Sequence, residues 1–425
     1  GWNYTGDLTN FDSKDKIAEK LRELSDTDSS KKNDALACYE FSKKIKPGDI
    51  LIPKKGTRTY LGYGVVQSAY FFDNSEIDYQ HKLKVEWKKI GIYPESKNQN
   101  NIVQKTLTDI TKYPDYVKRL KAMFESEGEI LKRYNRKDAL KDLFISESEY
   151  DNIVELLKYK KNLILQGPPG VGKSYATHRI AFSMMGVKDK TRIEKVQFHQ
   201  SYSYEDFIRG YRPNKKGKLK PIDGIFLKFC ALAKNDEDND YFFIIDEINR
   251  GNLSKIFGEL MLLIEKDKRG NEEKVKIVYS NPDSEYKEFF YIPKNVFIIG
   301  TMNTADRSLA MVDYALRRRF VFKDLNPQFQ SEKFKKFLTI KKVNEDLIDK
   351  IITKLTSLNN KIENDEKYLG KGYRIGHSYF CPDDETKTPN EEWYKRIIEF
   401  EIKPLLREYW FDNIKKADKR VAELY

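Results

Sequence analysis

Cysteine and histidine are scarce in this chain, 3 and 4 among 425 residues. Cys38, Cys230 and Cys381 are far apart and odd in number, which excludes a disulfide framework and the paired spacing of a zinc site. They read as buried or incidental thiols. Long apolar runs are also missing: Tyr241 to Ile245 and Val296 to Ile299 have the length of buried strands, not of a bilayer span. No secretory hydrophobic segment opens the chain, so a cytoplasmic location away from membranes is expected. Acidic charge is in deficit, with 66 Asp+Glu against 78 Lys+Arg and a net charge of +12. That balance is common among proteins that contact polyanions, although a lysine-rich genome produces it too. Internal repeats and low-complexity tracts are absent, and the length suggests two or three domains. The first residues, Gly1-Trp2-Asn3-Tyr4, read as the inside of a folded segment, as expected of a piece of a longer chain.

What is present is more specific. Gly167-Pro168-Pro169-Gly170-Val171-Gly172-Lys173-Ser174 follows the apolar run Leu163-Ile164-Leu165 and precedes a helical pattern from Tyr175 to Met184. Strand, glycine loop and helix in that order form a phosphate-binding P-loop. Glycines let backbone N–H groups turn toward phosphate oxygens, and the positive helix end favours the anion. Lys173 is placed for the β and γ phosphates, the Ser174 hydroxyl for Mg²⁺, and Tyr175 continues the binding segment. A second apolar strand, Tyr241 to Ile245, ends in Asp246-Glu247. Asp246 suits the Mg²⁺ water shell and Glu247 a general base for the attacking water. A third, Asn295 to Gly300, delivers Thr301-Met302-Asn303 to the same sheet edge, where the Asn303 amide can bridge γ-phosphate and water. Arg317, Arg318 and Arg319 follow, and a guanidinium supplied to a neighbour's γ-phosphate would make hydrolysis depend on assembly.

Apolar strands alternating with helices from 145 to 325 point to a parallel sheet covered on both faces, and 326–425 reads as a small helical domain. Asp138 to Tyr159 reads as one amphipathic helix. Residues 1–125 read as a mixed α/β module with short strands near Ile50 to Pro53, Gly62 to Val66 and Leu83 to Trp87 and a helix from Ser13 to Leu24. A charged stretch from Asp115 to Tyr134 reads as a solvated helix leading out of it, with 126–144 as the connector. Trp87 reads as a core strand residue. His81, His178 and His199 read as structural, and His377 as the histidine that could lie near nucleotide. The segment Tyr202 to Gly210 either faces a ring pore or packs through Tyr204 and Phe207.

The P-loop, Asp246-Glu247-Ile248-Asn249-Arg250, Met302-Asn-Thr-Ala-Asp306-Arg307 and the Arg317 to Arg319 cluster together resemble the McrB branch of the AAA+ superfamily. Phe198 to Gly210 and Ile375-Gly-His377-Ser-Tyr379-Phe380 extend the resemblance, which runs from about Ile145 to the end. It implies an α/β AAA+ P-loop NTPase with a C-terminal helical lid, preferring GTP over ATP, forming hexameric rings and stimulated by a separate McrC nuclease. It further implies nucleotide and catalytic roles for Lys173, Ser174, Asp246, Glu247 and Asn303, Arg318 or Arg319 acting in trans, and Asp306, Arg307 and Asp313 coupling the site to a neighbour. The residues themselves do not choose guanine over adenine.

Gly1-Trp2-Asn-Tyr-Thr-Gly6, Lys46-Pro47-Gly48-Asp49-Ile50 to Gly56, Leu61 to Val66 and Val85-Glu86-Trp87 resemble EVE or YTH-like domains, which are PUA-like barrels. That resemblance implies a reader of a methylated base in double-stranded DNA, with Trp2, Tyr70 and Phe71 walling a pocket for a flipped base. Lys54, Lys55, Arg58 and Lys82 are candidate phosphate contacts. Asp78 with Glu86 and Lys88 has the loose spacing of a nuclease core but falls inside this module, so cleavage is expected from a partner. The competing readings are an ATP-dependent, MoxR-like remodeller of proteins and a PUA-like RNA-binding module with a degenerate nucleotide switch.

Overall fold

The computed structural model describes residues 5–24, 30–55, 59–74, 79–95, 105–125, 132–213, 217–305, 314–365, 369–383 and 389–425. Trp2, Arg58, Asp78, Asp306, Arg307 and Asp313 therefore lie outside the described residues. The chain divides into two compact units, Gly1–Lys132 and Arg133–Tyr425.

In the first unit, Ser13 caps α1 (Lys14–Glu23) by accepting from the Lys16 N–H. Ile17, Ala18 and Leu21 are its buried face and pack with Ala35 and Cys38 of α2 (Lys32–Lys43). A small antiparallel sheet is built on β3 (Thr59–Val66). The short β1 (Ile50–Leu51) and β2 (Lys54–Lys55) flank one edge of β3, and β6 (Val85–Pro94) runs along the other. The break between β1 and β2 falls at Pro53, which has no N–H to give a ladder. β4 (Phe71–Phe72) and β5 (His81–Lys82) form a separate hairpin. These are the strands that a barrel would use, yet among the described residues no pairing closes them into one.

The helix α3 (Pro114–Glu125) differs from expectation. Leu120 and Phe124 are buried, and Phe124 packs edge-on against Tyr93 at 4.9 Å between ring centroids. Arg119 on the same helix pairs with the buried Glu95. The helix is part of the module's core, not a solvated connector, because its apolar residues recur four apart amid the charge that dominates the sequence.

The second unit opens with α4 (Arg136–Asp142) and α5 (Glu147–Lys160), two helices where the sequence pattern suggested one. The interruption has local causes: Asn135 and Asp138 form a capping box on α4, and Ser146 starts α5 afresh by accepting from Glu149 N. There follow β7 (Asn162–Gly167), α6 (Lys173–Met185), β8 (Ile193–Gln197), α7 (Tyr204–Phe207), the hairpin β9 (Arg209–Pro213) and β10 (Leu219–Asp223), and α8 (Ile225–Lys234). After these come β11 (Tyr241–Asp246), α9 (Leu253–Phe257), the pair β12 (Val275–Lys276) and β13 (Phe289–Phe290), β14 (Val296–Asn303), α10 (Tyr314–Arg319) and β15 (Val321–Asp324).

The five core strands are all parallel, in the order β15-β7-β14-β11-β8. Alternation along β11 shows why its run is apolar throughout. Tyr241, Phe243 and Ile245 enter the core under α8 and α9, whereas Phe242 and Ile244 enter the one under α4, α5 and α6. Phe207 is fully buried and stacks on Phe226 at 4.8 Å, and the Tyr204 hydroxyl donates to Glu259. Packing is thus the role of these two side chains. Arg209, also fully buried, pairs with Asp223 and pins the base of the β9–β10 hairpin.

The tail is helical: α11 (Glu332–Ile340), α12 (Glu345–Glu363), α13 (Glu391–Ile397), α14 (Lys403–Tyr409) and α15 (Ile414–Ala422). A π turn, Ile398–Ile402, joins α13 to α14. Trp410, Tyr394 and Ile398 anchor this lid's own core, and the Trp410 indole N–H donates to Asp365.

Candidate nucleotide site

β7 ends at Gly167, the chain turns, and α6 begins at Lys173. Gly170 and Gly172 both have φ of +77°, a left-handed conformation that side chains resist. Val171 between them is buried under the sheet, which fixes the loop to the core. Tyr175, on the first turn of α6, is half-exposed with the Arg179 guanidinium 3.8 Å from its ring centroid. The carboxyl ends of three neighbouring strands meet here, Asn303 lying directly across from Gly167 in the ladder.

The side chains named from sequence are brought together. Ser174 Oγ donates to Asp246 Oδ1 at 2.7 Å, and Thr301 Oγ1 donates to the same oxygen. Lys195 Nζ sits 2.7 Å from Asp246 Oδ2. Burial pushes the Asp246 carboxyl upward, but Lys195 and the two hydroxyls more than offset it and hold the group below its ordinary range. Ser174 and Asp246 are hard oxygen donors at hydrogen-bond distance from each other, a set suited to Mg²⁺ and its water shell. Lys173 is buried and turned inward, its Nζ 2.9 Å from both the Gly167 and Pro168 carbonyls. Asn303 Nδ2 donates to Glu247 Oε1 at 2.6 Å, and Arg250 Nε lies 3.4 Å from Oε2. Glu247 has φ of +51°, so its placement costs on the order of 1 kcal/mol in backbone strain.

The lid closes on the outside of this loop. Gly376 N donates to Pro169 O at 3.0 Å and Ser378 N to Gly170 O at 2.8 Å. A Cβ on Gly376 would lie 1.9 Å from the Gly170 carbonyl carbon, so only glycine permits the approach. His377 is buried where the lid meets the core: its Nδ1 accepts from Gln328 N at 3.1 Å, and its ring lies 5.2 Å from that of Phe144. Burial pushes its imidazole down to about 4. Between the α4–α5 connection, α6 and the lid lies a cavity of about 330 Å³, lined among others by Asp142, Phe144, Tyr175, Phe337, His377 and Cys381. Asp142 Oδ2 accepts from the Tyr134 hydroxyl at 2.7 Å and lies 3.4 Å from Arg179 Nε.

Arg318 and Arg319 occupy the opposite edge of the sheet. The Arg319 carbonyl accepts from Asn162 at the start of β7. The length of that strand, roughly 17 Å at ~3.3 Å per residue, separates them from their own P-loop. Both guanidiniums lie 3.3 Å from Glu265, the Arg318 side chain 74% exposed and that of Arg319 only 15%.

Sequence reasoning missed Lys195, the Gly376 and Ser378 amides, and Asp142. A lysine in a short, mostly polar edge strand carries no signal. The lid block was noticed, but its contacts are made by backbone groups.

The aromatic candidates of the first unit fall out differently. Tyr70 is buried, its hydroxyl held by Leu8 N at 3.2 Å and His81 Nδ1 at 2.8 Å, so it is a core residue and not an open wall. Phe71 is half-buried in β4. Trp87 is 45% exposed on β6, contrary to its reading as a core residue, within a run from Glu86 to Ile90 that is exposed on both faces of the strand. Lys82 pairs with Asp73 at 2.8 Å, and Glu86 pairs with Lys88. Among the described residues no cluster of three or more His, Cys, Asp or Glu could hold a metal ion, and no helix is long and apolar enough to cross a membrane.

A P-loop on a five-stranded parallel sheet, an Asp-Glu strand end, a polar third strand and a helical lid define a P-loop NTPase of the AAA class. Residues 162–320 match the family described as AAA domain (dynein-related subfamily), and residues 350–418 match McrB, alpha-helical lid domain. This part of the chain is that of an McrB-like AAA+ subunit. Residues 1–111 match a domain family of unknown function, DUF8426. The chain is 52% identical over 292 residues to the type IV methyl-directed restriction enzyme EcoKMcrB subunit of Escherichia coli K12. That match covers 68% of this chain and 63% of the relative. It is 27% identical over 208 residues to the type II restriction enzyme BsuMI component YdiS of Bacillus subtilis 168, covering 41% of this chain and 59% of that one. The chain thus spans about three fifths of the length of these relatives. A putative ATPase from Cytophaga hutchinsonii aligns at 14% identity over 55% of this chain and 69% of that one, with a TM-score of 0.32, too low a likeness to carry an argument.

Proposed function

We propose that the chain is the GTP-driven motor and specificity subunit of a modification-dependent restriction system, working as a homo-hexameric ring and activating a separate McrC-type nuclease. The observation that carries this reading is the convergence of Lys173, Ser174, Asp246, Glu247 and Asn303 at the carboxyl ends of neighbouring strands, in a chain 52% identical over 292 residues to a methyl-directed restriction subunit. The nucleotide would supply the phosphoryl group that passes to water, and Mg²⁺ would offset charge on its phosphates. Lys173 would leave the Gly167 and Pro168 carbonyls to meet phosphate oxygens, and Ser174 and Asp246 would hold the metal and its water shell. Glu247 takes the proton of the attacking water, positioned by Asn303. Arg318, exposed and a strand's length from its own loop, suits the site of a neighbouring subunit, with Arg319 packed behind it. Asp306, Arg307 and Asp313 keep the coupling role that the resemblance implies.

Guanine preference is supported by Asp142. A carboxylate on the cavity wall can accept from the paired N1–H and N2–H donors of guanine through Oδ1 and, once Tyr134 or Arg179 yields it, through Oδ2, whereas adenine offers an acceptor at N1. The first unit is proposed to read a methylated base in double-stranded DNA. The net positive charge supports DNA contact. Because Tyr70 is packed, the pocket reading is left to Phe71 and Trp2.

The test is hydrolysis of GTP and ATP by the full chain across protein concentration, with Asp142→Asn in parallel. GTP turnover that rises faster than concentration is expected, with Asp142→Asn shifting preference from GTP toward xanthosine triphosphate. Equal use of ATP and GTP by the wild type would overturn the guanine reading in favour of an ATP-dependent remodeller.

A further inference from the structure

Lys195 stands at the centre of the site without a role in the chemistry above. It lies on β8, the edge strand of the core sheet, and is paired in the ladder with Ile244, two residues before Asp246. The pleat therefore puts it on the same face as Ile244 and Asp246, the face covered by α6, whose first turn carries Ser174. Its ammonium reaches Asp246 Oδ2 at 2.7 Å while Oδ1 is taken by the Ser174 and Thr301 hydroxyls. Both carboxylate oxygens are engaged, and one of the engaging groups is a full positive charge.

We propose that Lys195 is a resident countercharge on the metal-binding carboxylate, a further site residue that competes with Mg²⁺ for Asp246. The inference rests on the reading of Ser174 and Asp246 as the Mg²⁺ site. An exposed ion pair of this kind adds little to stability. The Asp246 side chain, however, is only 17% exposed, so its charge is poorly screened and attracts whichever cation is nearest. A metal ion arriving alone meets a carboxylate already neutralised and a second positive charge beside it. A metal ion arriving with a triphosphate brings excess negative charge, and the ammonium, 40% exposed on an edge strand, is free to swing to solvent. Lys195 thereby ties metal binding to nucleotide binding and sets the metal concentration the site requires.

The experiment is titration of the full chain with Mn²⁺, read by the electron paramagnetic resonance signal of the free ion, without nucleotide and with a non-hydrolysable GTP analogue. Lys195→Met keeps the stem and removes the charge, and Lys195→Arg keeps the charge. Lys195→Met is expected to bind Mn²⁺ roughly tenfold more tightly than wild type without nucleotide, with a smaller gain when the analogue is present. Lys195→Arg should stay near wild type. Unchanged affinity in Lys195→Met, or weaker affinity, overturns the inference, the latter meaning that the ammonium serves the phosphates. If wild type with the analogue binds no Mn²⁺, or Ser174→Ala with the analogue binds it as tightly as wild type, the Mg²⁺ site itself is misplaced and both readings fall.

Discussion

Gly376→Ala isolates the contact between lid and P-loop. The added methyl would sit 1.9 Å from the Gly170 carbonyl carbon, 2.0 Å from its oxygen and 2.5 Å from Val171 N, all backbone atoms that cannot rotate away. Ordinary contact begins near 3.4 Å, so lid and loop must part by about 1.5 Å, and a close-packed interface cannot absorb that locally. Two hydrogen bonds, Gly376 N to Pro169 O and Ser378 N to Gly170 O, are lost with the separation. At about 1 kcal/mol each they amount to about 2 kcal/mol, a factor of roughly 30 in an equilibrium that needs the lid closed. The assay is binding of a fluorescent guanine nucleotide to wild type, Gly376→Ala and Ser378→Ala, with circular dichroism to confirm folding. Ser378→Ala keeps the N–H and should bind nearly as wild type. A folded Gly376→Ala that binds as tightly as wild type would refute the view that the lid supports the loop through these amides.

Two further outcomes follow from the site. Glu247→Gln preserves the shape and the acceptor for Asn303 but not the base, so nucleotide binding should persist while turnover falls by about 10² to 10⁴, measured by phosphate release. Turnover near wild type would remove Glu247 from the role of base. His377 is held neutral by burial at about 4 against an ordinary 6.5, so the unfolded chain takes up a proton that the folded one refuses. Its stability contribution is intact above pH 6.5 and is lost as pH falls toward 4, by about 3 kcal/mol in total. His377→Asn, which keeps an acceptor for Gln328 N, should flatten that part of a thermal melt against pH.

The sequence made the nucleotide site legible because its chemistry is carried by side chains at fixed spacing next to apolar strands. Gly167 to Ser174, Asp246-Glu247 and Asn303 each stand at a strand's carboxyl end, and parallel pairing then brings them together without further information. What escaped was set by packing across distant segments. Lys195 meets Asp246 only because β8 and β11 are neighbours in the sheet. Asp142 faces a cavity only because α4 ends where the lid begins to cover α6. In the first unit, register shifts in β3 and β6 between Tyr60 and Gly62 and between Tyr63 and Gly64 alter which side chains face inward. The exposure of Trp87 was therefore not visible in the alternation of residues, and the burial of Tyr70, which precedes β4, depends on Leu8 and His81 meeting its hydroxyl.

In the proposed ring, the separation of Arg318 from its own loop by the length of β7 would make each subunit polar in a functional sense: one end of the sheet would consume nucleotide and the other would offer an activating charge. Contacts that join such unlike edges are heterologous, with no two-fold axis to limit them to a pair. In the proposed ring, a subunit defective at Arg318 would silence its neighbour and not itself, so mixed assemblies would show defects displaced by one position around the circle.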